Sequence, residues 1–436
     1  MAGDAGNVAR LEEKVARLTA ALEVAQSNIG DLRARMAKKE GLGFPKQVKR
    51  AFMRAVSAKV APYAGAGKTV DGVVTKLVAK GLTEGGTPFD PNDPKGKYDV
   101  DESEHLMRHT QAAYLLPDGP GTAGDAVPGW MKDAETNKTS LTAALANGLG
   151  APNRKLKLLA FHDHKKTDTQ AYVAASVDRP GELYFVCRGT TTITDWLTDF
   201  SISKTLYEPE NDDFDDFRSC AGCCGQVSWS IDHGRKPLVH VGFYRSFLTM
   251  RDLIAQWAKH ELPDGLGPLK KVFVCGHSLG GALACVVLPY VLQLLNPKKL
   301  ASSGVEVTLF TVGAPRVGTS GYLKMLAKLT APLEAKGLYK SRRMVNDVDI
   351  VPRIPPAFMG FRHVGDLYIF LESEREGERP TLMVGGTMTQ ASDSSVLKYV
   401  SHGAECVSDH MVPVYRSMNA AQAPDAASRL APAGPP

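Results

Sequence analysis

A serine lies between glycines in the stretch GHSLG at residues 276–280. The run before it, 271–275, is β-branched and aromatic and predicts a buried strand, whereas the run 282–288 contains good helix formers. A sharp turn from strand to helix needs glycines on both sides, because a side chain there would strike the neighbouring backbone. Such a turn would lift the hydroxyl of Ser278 clear of the sheet, where it could act as a nucleophile.

Serine is also a preferred capping residue, so Ser278 could begin an ordinary helix instead. The five-residue pattern alone occurs by chance, but its strand-turn-helix context favours a nucleophile. A serine hydroxyl is a poor nucleophile unless a base takes its proton and an acid orients that base. The backbone N–H of Leu279, at the positive end of the helix, would then face the developing oxyanion.

The chain after Ser278 contains several candidates for the acid and the base, which follow the serine in this architecture. Two candidate acids, Asp347 and Asp349, come directly after the strand pattern RMVN. The candidate bases are His363, His402 and His410. His363 precedes a strand-like run, where a hydrogen-bonded packing role is an alternative. The residues alone therefore leave the choice of acid and base open.

Strand patterns alternate with helix patterns through most of the chain after residue 98. The runs 171–177 and 183–187 are β-rich, and the sequence DRPGE between them suits a hairpin-like turn. Later strand patterns are separated by helix patterns, which predicts an α/β fold with a mostly parallel central sheet, covered on both faces. The longest apolar run, 282–295, is too short to cross a bilayer and contains Pro289, so we expect a buried helix.

The first 40 residues carry a heptad pattern, in which apolar residues recur at alternating spacings of three and four. These residues are Val8, Leu11, Val15, Leu18, Leu22, Ala25, Ile29, Leu32 and Met36. The pattern predicts a coiled-coil helix over 1–40 and a homo-oligomer formed through residues 8–36. The alternative is a single amphipathic helix folded onto the main domain. Few charges occupy the flanking positions, so the pattern does not indicate the oligomer number.

Residues 41–97 form a basic segment with helical patterns. Its cations include Lys46, Lys49, Arg50, Arg54 and Lys59. Such cations each contribute about 1 kcal/mol close to an anionic bilayer surface. The alternative is a solvated linker helix. At the other end of the chain, residues 421–436 are rich in Ala, Pro and Asp, and we expect them to be disordered.

The charge and cysteine content exclude some classes of partner and fold. The chain of 436 residues has 52 Lys and Arg against 47 Asp and Glu, and this balance gives no reason to expect a nucleic-acid partner. Seven cysteines, an odd number, argue against a disulfide framework. Asp4, Glu12 and Glu13 interrupt any signal-peptide pattern, so we expect an intracellular protein, cytoplasmic or peripherally membrane-associated.

Six blocks of the sequence resemble, in order, the signature blocks of the class 3 lipases, a group that includes fungal triacylglycerol lipases and plant and algal relatives. The blocks are FVCRGTTTITDWLTDF, VHVGFYRSF, VCGHSLGGALA, TVGAPRVG, VNDVDIVPRIPP and DHMVPVY. Together they are highly specific, and the resemblance covers roughly residues 98–418. It implies an α/β-hydrolase domain over 98–420.

The resemblance also implies roles for individual residues. The acid of the family directly precedes the IVP element, which is Asp349 here, and the base lies in the terminal DH element, which is His410. With Ser278 these residues would form the catalytic triad. Thr190, which follows the RG pair, would supply the second oxyanion donor beside Leu279. The other candidate acid and bases then have no catalytic role.

In the family, the segment after that oxyanion residue is an amphipathic lid. Apolar side chains recur there at helical spacing in Ile193, Trp196, Leu197 and Phe200. Tryptophan is suited to a lipid interface, and the alternative is a helix packed in the core. A lid of this kind would expose an acyl groove when it opens at a lipid surface.

An insertion relative to the compact fungal pattern extends the lid region to about 191–237. It contains the acidic run EPENDDFDDF, which an anionic membrane would repel, so the insertion is expected to face water. Cys220, Cys223 and Cys224 could hold zinc together with His233, but no fourth well-spaced ligand is evident in the sequence. A packed or redox-sensitive thiol cluster is favoured, and we expect neither a metal nor another cofactor.

The residues and the resemblance together predict a serine hydrolase that acts at a lipid–water interface. It would cleave carboxylic esters of acylglycerols or membrane glycerolipids through an acyl-enzyme, in contact with a membrane or lipid-droplet surface. The sequence does not distinguish among lipid classes or acyl positions. The alternative function is a coiled-coil scaffold whose hydrolase-like domain only binds lipid or protein. A damaged triad would indicate that alternative, and none is seen in the sequence.

Overall fold

The structure is a computed structural model that describes residues 87–88, 98–117, 140–190, 203–209, 236–347, 349, 351–355, 357–371, 380–385 and 410–423. The predicted coiled coil and the four predicted lid residues lie outside these ranges. So do the cysteines at 220, 223 and 224, most of the basic segment, His402 and the chain after residue 423.

The described strands form one large sheet and one small one. In chain order they are β1 (Thr87–Pro88), β2 (Leu156–His164), β3 (Thr169–Ser176), β4 (Glu182–Cys187), β5 (Lys204–Leu206), β6 (Leu238–His240), β7 (Lys271–His277), β8 (Glu306–Val312), β9 (Tyr339–Asn346), β10 (Leu367–Leu371) and β11 (Thr381–Val384). The order in the large sheet is β1-β11-β10-β9-β8-β7-β4-β3-β2, and β5 pairs with β6. The five neighbouring strands from β4 to β10 run parallel. The outer strands pair in antiparallel fashion. The predicted α/β fold with a mostly parallel central sheet is therefore confirmed.

Helices cover both faces of this sheet. In chain order the described helices are α1 (Val100–Ala112), α2 (Leu141–Ala146), α3 (Val241–Trp257), α4 (Leu279–Leu295), α5 (Pro297–Ser302), α6 (Ser320–Glu334) and α7 (Val412–Ala420). Helices α3, α4 and α6 share one core cluster, and α1, α2 and α7 share another. Strand β7 contributes to both clusters, because Val272 and Val274 face the first while Phe273 and Cys275 face the second. A strand buried on both faces needs this unbroken apolar run.

Helix α4 follows the nucleophile candidate and is almost entirely buried. Proline has no N–H, so Pro289 leaves the Cys285 carbonyl without its helical donor. The hydroxyl of Tyr322, on α6, donates to that carbonyl oxygen at 2.8 Å. The hydroxyl of Tyr207 donates to the next carbonyl, that of Val286, at 2.9 Å. Within the described residues, no helix is long and apolar enough to span a membrane.

Loss of the Tyr322 hydroxyl should destabilise the fold through the Cys285 carbonyl. We expect Tyr322→Phe to lower the free energy of unfolding by about 1–3 kcal/mol, since a buried acceptor is left without a donor. Urea denaturation measures this change. In a Pro289→Ala background, the N–H of Ala at position 289 can donate to the Cys285 carbonyl. Tyr322→Phe should then lower the free energy of unfolding by a smaller amount. Equal losses in the two backgrounds would contradict this role for Tyr322.

Candidate active site

Ser278 occupies the one-residue turn between β7 and α4 and is fully buried. Its backbone has φ 58° and ψ −128°, a conformation that non-glycine residues rarely adopt. A Cβ on Gly276 would lie 2.1 Å from the carbonyl oxygen of Gly280, and a Cβ on Gly280 would lie 2.2 Å from that of Cys187. The side chain of Ser278 makes no capping hydrogen bond to α4. This geometry is that of a strained nucleophile elbow and does not support the capping alternative.

Asp349 and His410 form a fully buried pair. His410 Nδ1 lies 2.6 Å from Asp349 Oδ2, and neither side chain has exposed surface. Since the carboxylate accepts from Nδ1–H, the neutral imidazole has its free lone pair on Nε2. Among the described residues, neither His410 Nε2 nor Ser278 Oγ has a hydrogen-bond partner, and both atoms are buried. In a serine triad, a hydrogen bond joins these same two atoms.

The end of β8 brings the three residues to one place. The backbone N–H of Ser278 donates to the Val312 carbonyl at 2.9 Å. A Cβ on the following residue, Gly313, would lie 2.7 Å from His410 Cε1 and 2.9 Å from Asp349 Oδ2. The backbone of Gly313, with φ 58°, therefore passes directly against the imidazole and the carboxylate. Any larger residue there would push the acid and the base out of position.

The Asp349 carboxylate accepts two further hydrogen bonds besides that of His410. The hydroxyl of Tyr415, on α7, donates to Oδ2 at 2.6 Å, and the Val351 N–H donates to Oδ1 at 2.8 Å. The N–H of Asn346 donates in turn to the Tyr415 oxygen at 2.9 Å. Burial, together with the neighbouring carboxylate, raises the pKa of Tyr415 well above its usual value, so the phenol stays protonated as a donor. Tyr415 ends the DHMVPVY block, but nothing in the sequence pattern indicates this role.

The other candidate acid and one candidate base have structural partners close to the pair. Asp347 accepts from Arg353 Nη2 at 3.2 Å, and the same nitrogen donates to the Asp347 carbonyl at 2.7 Å. His363 Nε2 lies 2.8 Å from the Pro352 carbonyl, to which it donates. Burial lowers the pKa of His363 well below its usual value, with nearby arginines adding to the effect. Both residues shape the loop on either side of Asp349.

The two predicted oxyanion donors lie on either side of Ser278. Leu279 is the first residue of α4, where N–H groups have no acceptor within the helix. Thr190 is buried and follows Gly189, whose Cβ, if it had one, would lie 3.0 Å from Ser278 Cβ. The loop after β4 therefore packs against the elbow. Over the described ranges, no group of three His, Cys, Asp or Glu side chains could hold a metal ion.

Residues 184–359 match the family model described as Lipase (class 3). A lipase of Rhizomucor miehei is 30% identical over 228 residues, which cover 52% of this chain and 51% of that protein. This stretch of the chain is similar to the class 3 lipases. The matched residues contain Thr190, Ser278, Leu279 and Asp349, and they end before His410.

A second fungal relative and a solved structure also match the chain. A secreted mono- and diacylglycerol lipase of Fusarium solani is 28% identical over 203 residues, 47% of this chain and 48% of that protein. The chain spans about half the length of these curated relatives. Among solved structures, the native complex of Rhizomucor miehei lipase with its propeptide has 23% identity and a TM-score of 0.47, and it covers 73% of this chain and 81% of that one.

The Tyr415 hydroxyl should support Asp349 as the candidate acid. We expect Tyr415→Phe to lower kcat about tenfold for a short-chain nitrophenyl ester with little change in KM, because a charge-assisted hydrogen bond to Asp349 is lost. Tyr98→Phe is the matched control, since the Tyr98 hydroxyl donates to Asn419 on the same helix α7 at 2.5 Å. Equal falls in kcat for the two variants would show that only the packing of α7 matters.

Proposed function

We propose that this chain is a serine esterase that hydrolyses carboxylic esters of acylglycerols or membrane glycerolipids. The observation that carries the proposal is the buried Asp349–His410 pair, which leaves His410 Nε2 unpartnered among the described residues, as is the buried Ser278 hydroxyl. An imidazole nitrogen with a free lone pair and a buried hydroxyl match the needs of nucleophilic catalysis. The match to the class 3 lipase model and the names of the fungal relatives support an acylglycerol substrate.

In the first half-reaction, His410 Nε2 takes the proton of Ser278 Oγ as the oxygen bonds to the ester carbonyl carbon. Asp349 holds the imidazole in the Nδ1–H form and stabilises its cationic state. The carbonyl oxygen becomes an oxyanion, which accepts from the backbone N–H groups of Leu279 and Thr190. The carbon–oxygen bond to the alcohol then breaks, His410 returns the proton to that alcohol, and an acyl-enzyme remains.

In the second half-reaction, water attacks the acyl-enzyme. His410 takes a proton from the water as its oxygen bonds to the acyl carbon, and a second oxyanion forms at the same donors. Collapse of this intermediate breaks the bond to Ser278 Oγ, which recovers its proton from His410. The products are a carboxylic acid and an alcohol, and the enzyme returns to its starting protonation state.

The segments outside the described residues have proposed roles in reaching the lipid. Residues 191–202 contain the predicted lid, whose apolar side chains would turn toward a lipid surface when it opens. The basic residues of segment 41–97 would attract an anionic surface, and residues 8–36 would join copies of the chain. These roles leave the hydrolytic chemistry to the domain proposed for residues 98–420.

The role of Ser278 is tested with the full chain. Ser278→Ala should lower kcat for a short-chain nitrophenyl ester by more than about a thousandfold, because the nucleophile is removed. A fluorophosphonate probe should label wild type and leave Ser278→Ala unlabelled. Ser246→Ala, which changes a buried serine of α3, is the control for folding. It should keep both the hydrolysis of the ester and the labelling by the probe. A folded wild-type protein that neither hydrolyses nor reacts would favour the scaffold function.

The lipid class is tested with vesicles or emulsions of triolein, diolein, monogalactosyldiacylglycerol and phosphatidylcholine. We expect the neutral acylglycerols to be hydrolysed fastest, in line with the names of the fungal relatives. Released fatty acid, measured by titration, gives the rates, and Ser278→Ala gives the background. Fastest release from phosphatidylcholine would overturn the acylglycerol assignment while leaving the esterase chemistry intact.

A further inference from the structure

Two buried polar side chains beneath the elbow have no role in the mechanism above. His277 is the last residue of β7 and directly precedes Ser278, and Tyr114 lies in the turn after α1. Tyr114 has 1% of its surface exposed and His277 has none. Polar groups so completely buried are costly unless each finds a partner, so their hydrogen bonds indicate what they hold in place.

The imidazole of His277 connects Tyr114 to the backbone of the proposed base. Its Nε2 lies 2.7 Å from the His410 carbonyl oxygen, and its Nδ1 lies 2.8 Å from the Tyr114 hydroxyl. A carbonyl only accepts, so Nε2 carries the proton and donates to His410. Nδ1 is then an acceptor and receives the hydroxyl proton of Tyr114. In the His277 ring, Nε2 therefore donates to His410 and Nδ1 accepts from Tyr114.

The Tyr114 oxygen also contacts the oxyanion loop. The Gly189 backbone lies directly against this oxygen, which leaves no room for a side chain at residue 189. A Cβ on Gly189 would lie 2.4 Å from the Tyr114 oxygen and 2.7 Å from the His277 carbonyl oxygen. Gly189 precedes Thr190, the proposed second oxyanion donor. One phenol oxygen thus joins the loop of Thr190 to the imidazole next to Ser278.

The His277 ring stays uncharged beside the proposed base. Burial lowers its pKa well below the usual value, and the nearby His410 adds to this effect. The centroids of the two imidazole rings are 4.6 Å apart. Since His277 remains neutral, no second cation opposes the imidazolium that forms on His410 during the reaction. A neutral hydrogen-bonding group can therefore hold the base without disfavouring its protonated state.

We propose that Tyr114 and His277 are positioning residues that set the oxyanion loop, the nucleophile elbow and the backbone of His410 relative to one another. The proposal rests on the esterase function and adds to it two residues that touch no reacting atom. Hydrogen bonds run from Tyr114 to His277 and from His277 to His410, and the Gly189 backbone packs against the Tyr114 oxygen. Small displacements of catalytic groups are costly, since a misplacement of about 1 Å can lower a rate about a hundredfold.

The chain contains a matched control for the Tyr114 hydroxyl. The Tyr172 hydroxyl lies 2.8 Å from His109 Nδ1, the same distance that separates Tyr114 from His277 Nδ1. Tyr172 also has 1% of its surface exposed. It lies on β3, and its hydroxyl also donates to the His109 carbonyl of α1 at 3.1 Å. Tyr172→Phe therefore removes the hydroxyl from a second buried tyrosine–histidine pair at another place in the core.

The test compares Tyr114→Phe and Tyr172→Phe in the full chain, with a nitrophenyl ester and a fluorophosphonate probe. We expect Tyr114→Phe to lower kcat and the rate of probe labelling at least about tenfold, with KM within about twofold. Tyr172→Phe should keep the kcat of wild type while losing a similar amount of stability in urea. Equal kcat values for the two variants would overturn the proposal.

The His277 variants give a second measurement that does not depend on how Tyr114→Phe folds. His277→Gln can still donate to the His410 carbonyl, so it should keep more of kcat than His277→Leu, which has no polar group. Similar kcat values for both variants, at comparable urea midpoints, would overturn the positioning role. If wild type neither hydrolyses the ester nor reacts with the probe, the esterase function fails first and this role fails with it.

Discussion

The hydrogen bond between Asp349 and His410 is the interaction on which the candidate site depends. An ionised carboxylate without exposed surface is unstable unless several donors replace its water. Here the donors come from the loop of His410, from Tyr415 on α7 and from the backbone of Val351. The C-terminal helix, the loop after β9 and the imidazole are thereby fixed by one side chain. Removing Asp349 would leave unsatisfied donors on all of these segments.

Buried tyrosine hydroxyls join segments that are far apart in the chain. Tyr415 reaches an acid 66 residues away, and Tyr114 reaches an imidazole 163 residues away. The hydroxyls of Tyr207 and Tyr322 donate to carbonyl oxygens of α4, where Pro289 interrupts the hydrogen bonds of the helix. A single hydrogen bond of this kind contributes only about 1 kcal/mol, but a buried partner left alone costs more. These hydroxyls therefore define the relative positions of elements more than they add to net stability.

Local patterns predicted the parts of the fold that are contiguous in sequence. The strand, the turn and the helix around Ser278 follow one another, so their residue types were sufficient. Asp347 and Asp349 are two residues apart in the same loop, and their partners distinguish them: Asp347 binds Arg353, six residues away, whereas Asp349 binds His410, 61 residues away. The residues alone left that choice open, and the family resemblance indicated Asp349. Tyr114, His277 and Tyr415 were missed, because a hydroxyl or imidazole that acts through a distant contact leaves no spacing pattern. The coiled coil, the lid and the zinc alternative stay predictions.

The glycines around the elbow limit how the candidate site can be redesigned. Gly189, Gly276, Gly280 and Gly313 lie where a single added carbon would come within 3 Å of backbone or site atoms. In a mutational library that varies these positions, most variants would have a displaced backbone around the site. Variation for new acyl chains belongs instead at positions that already carry a side chain.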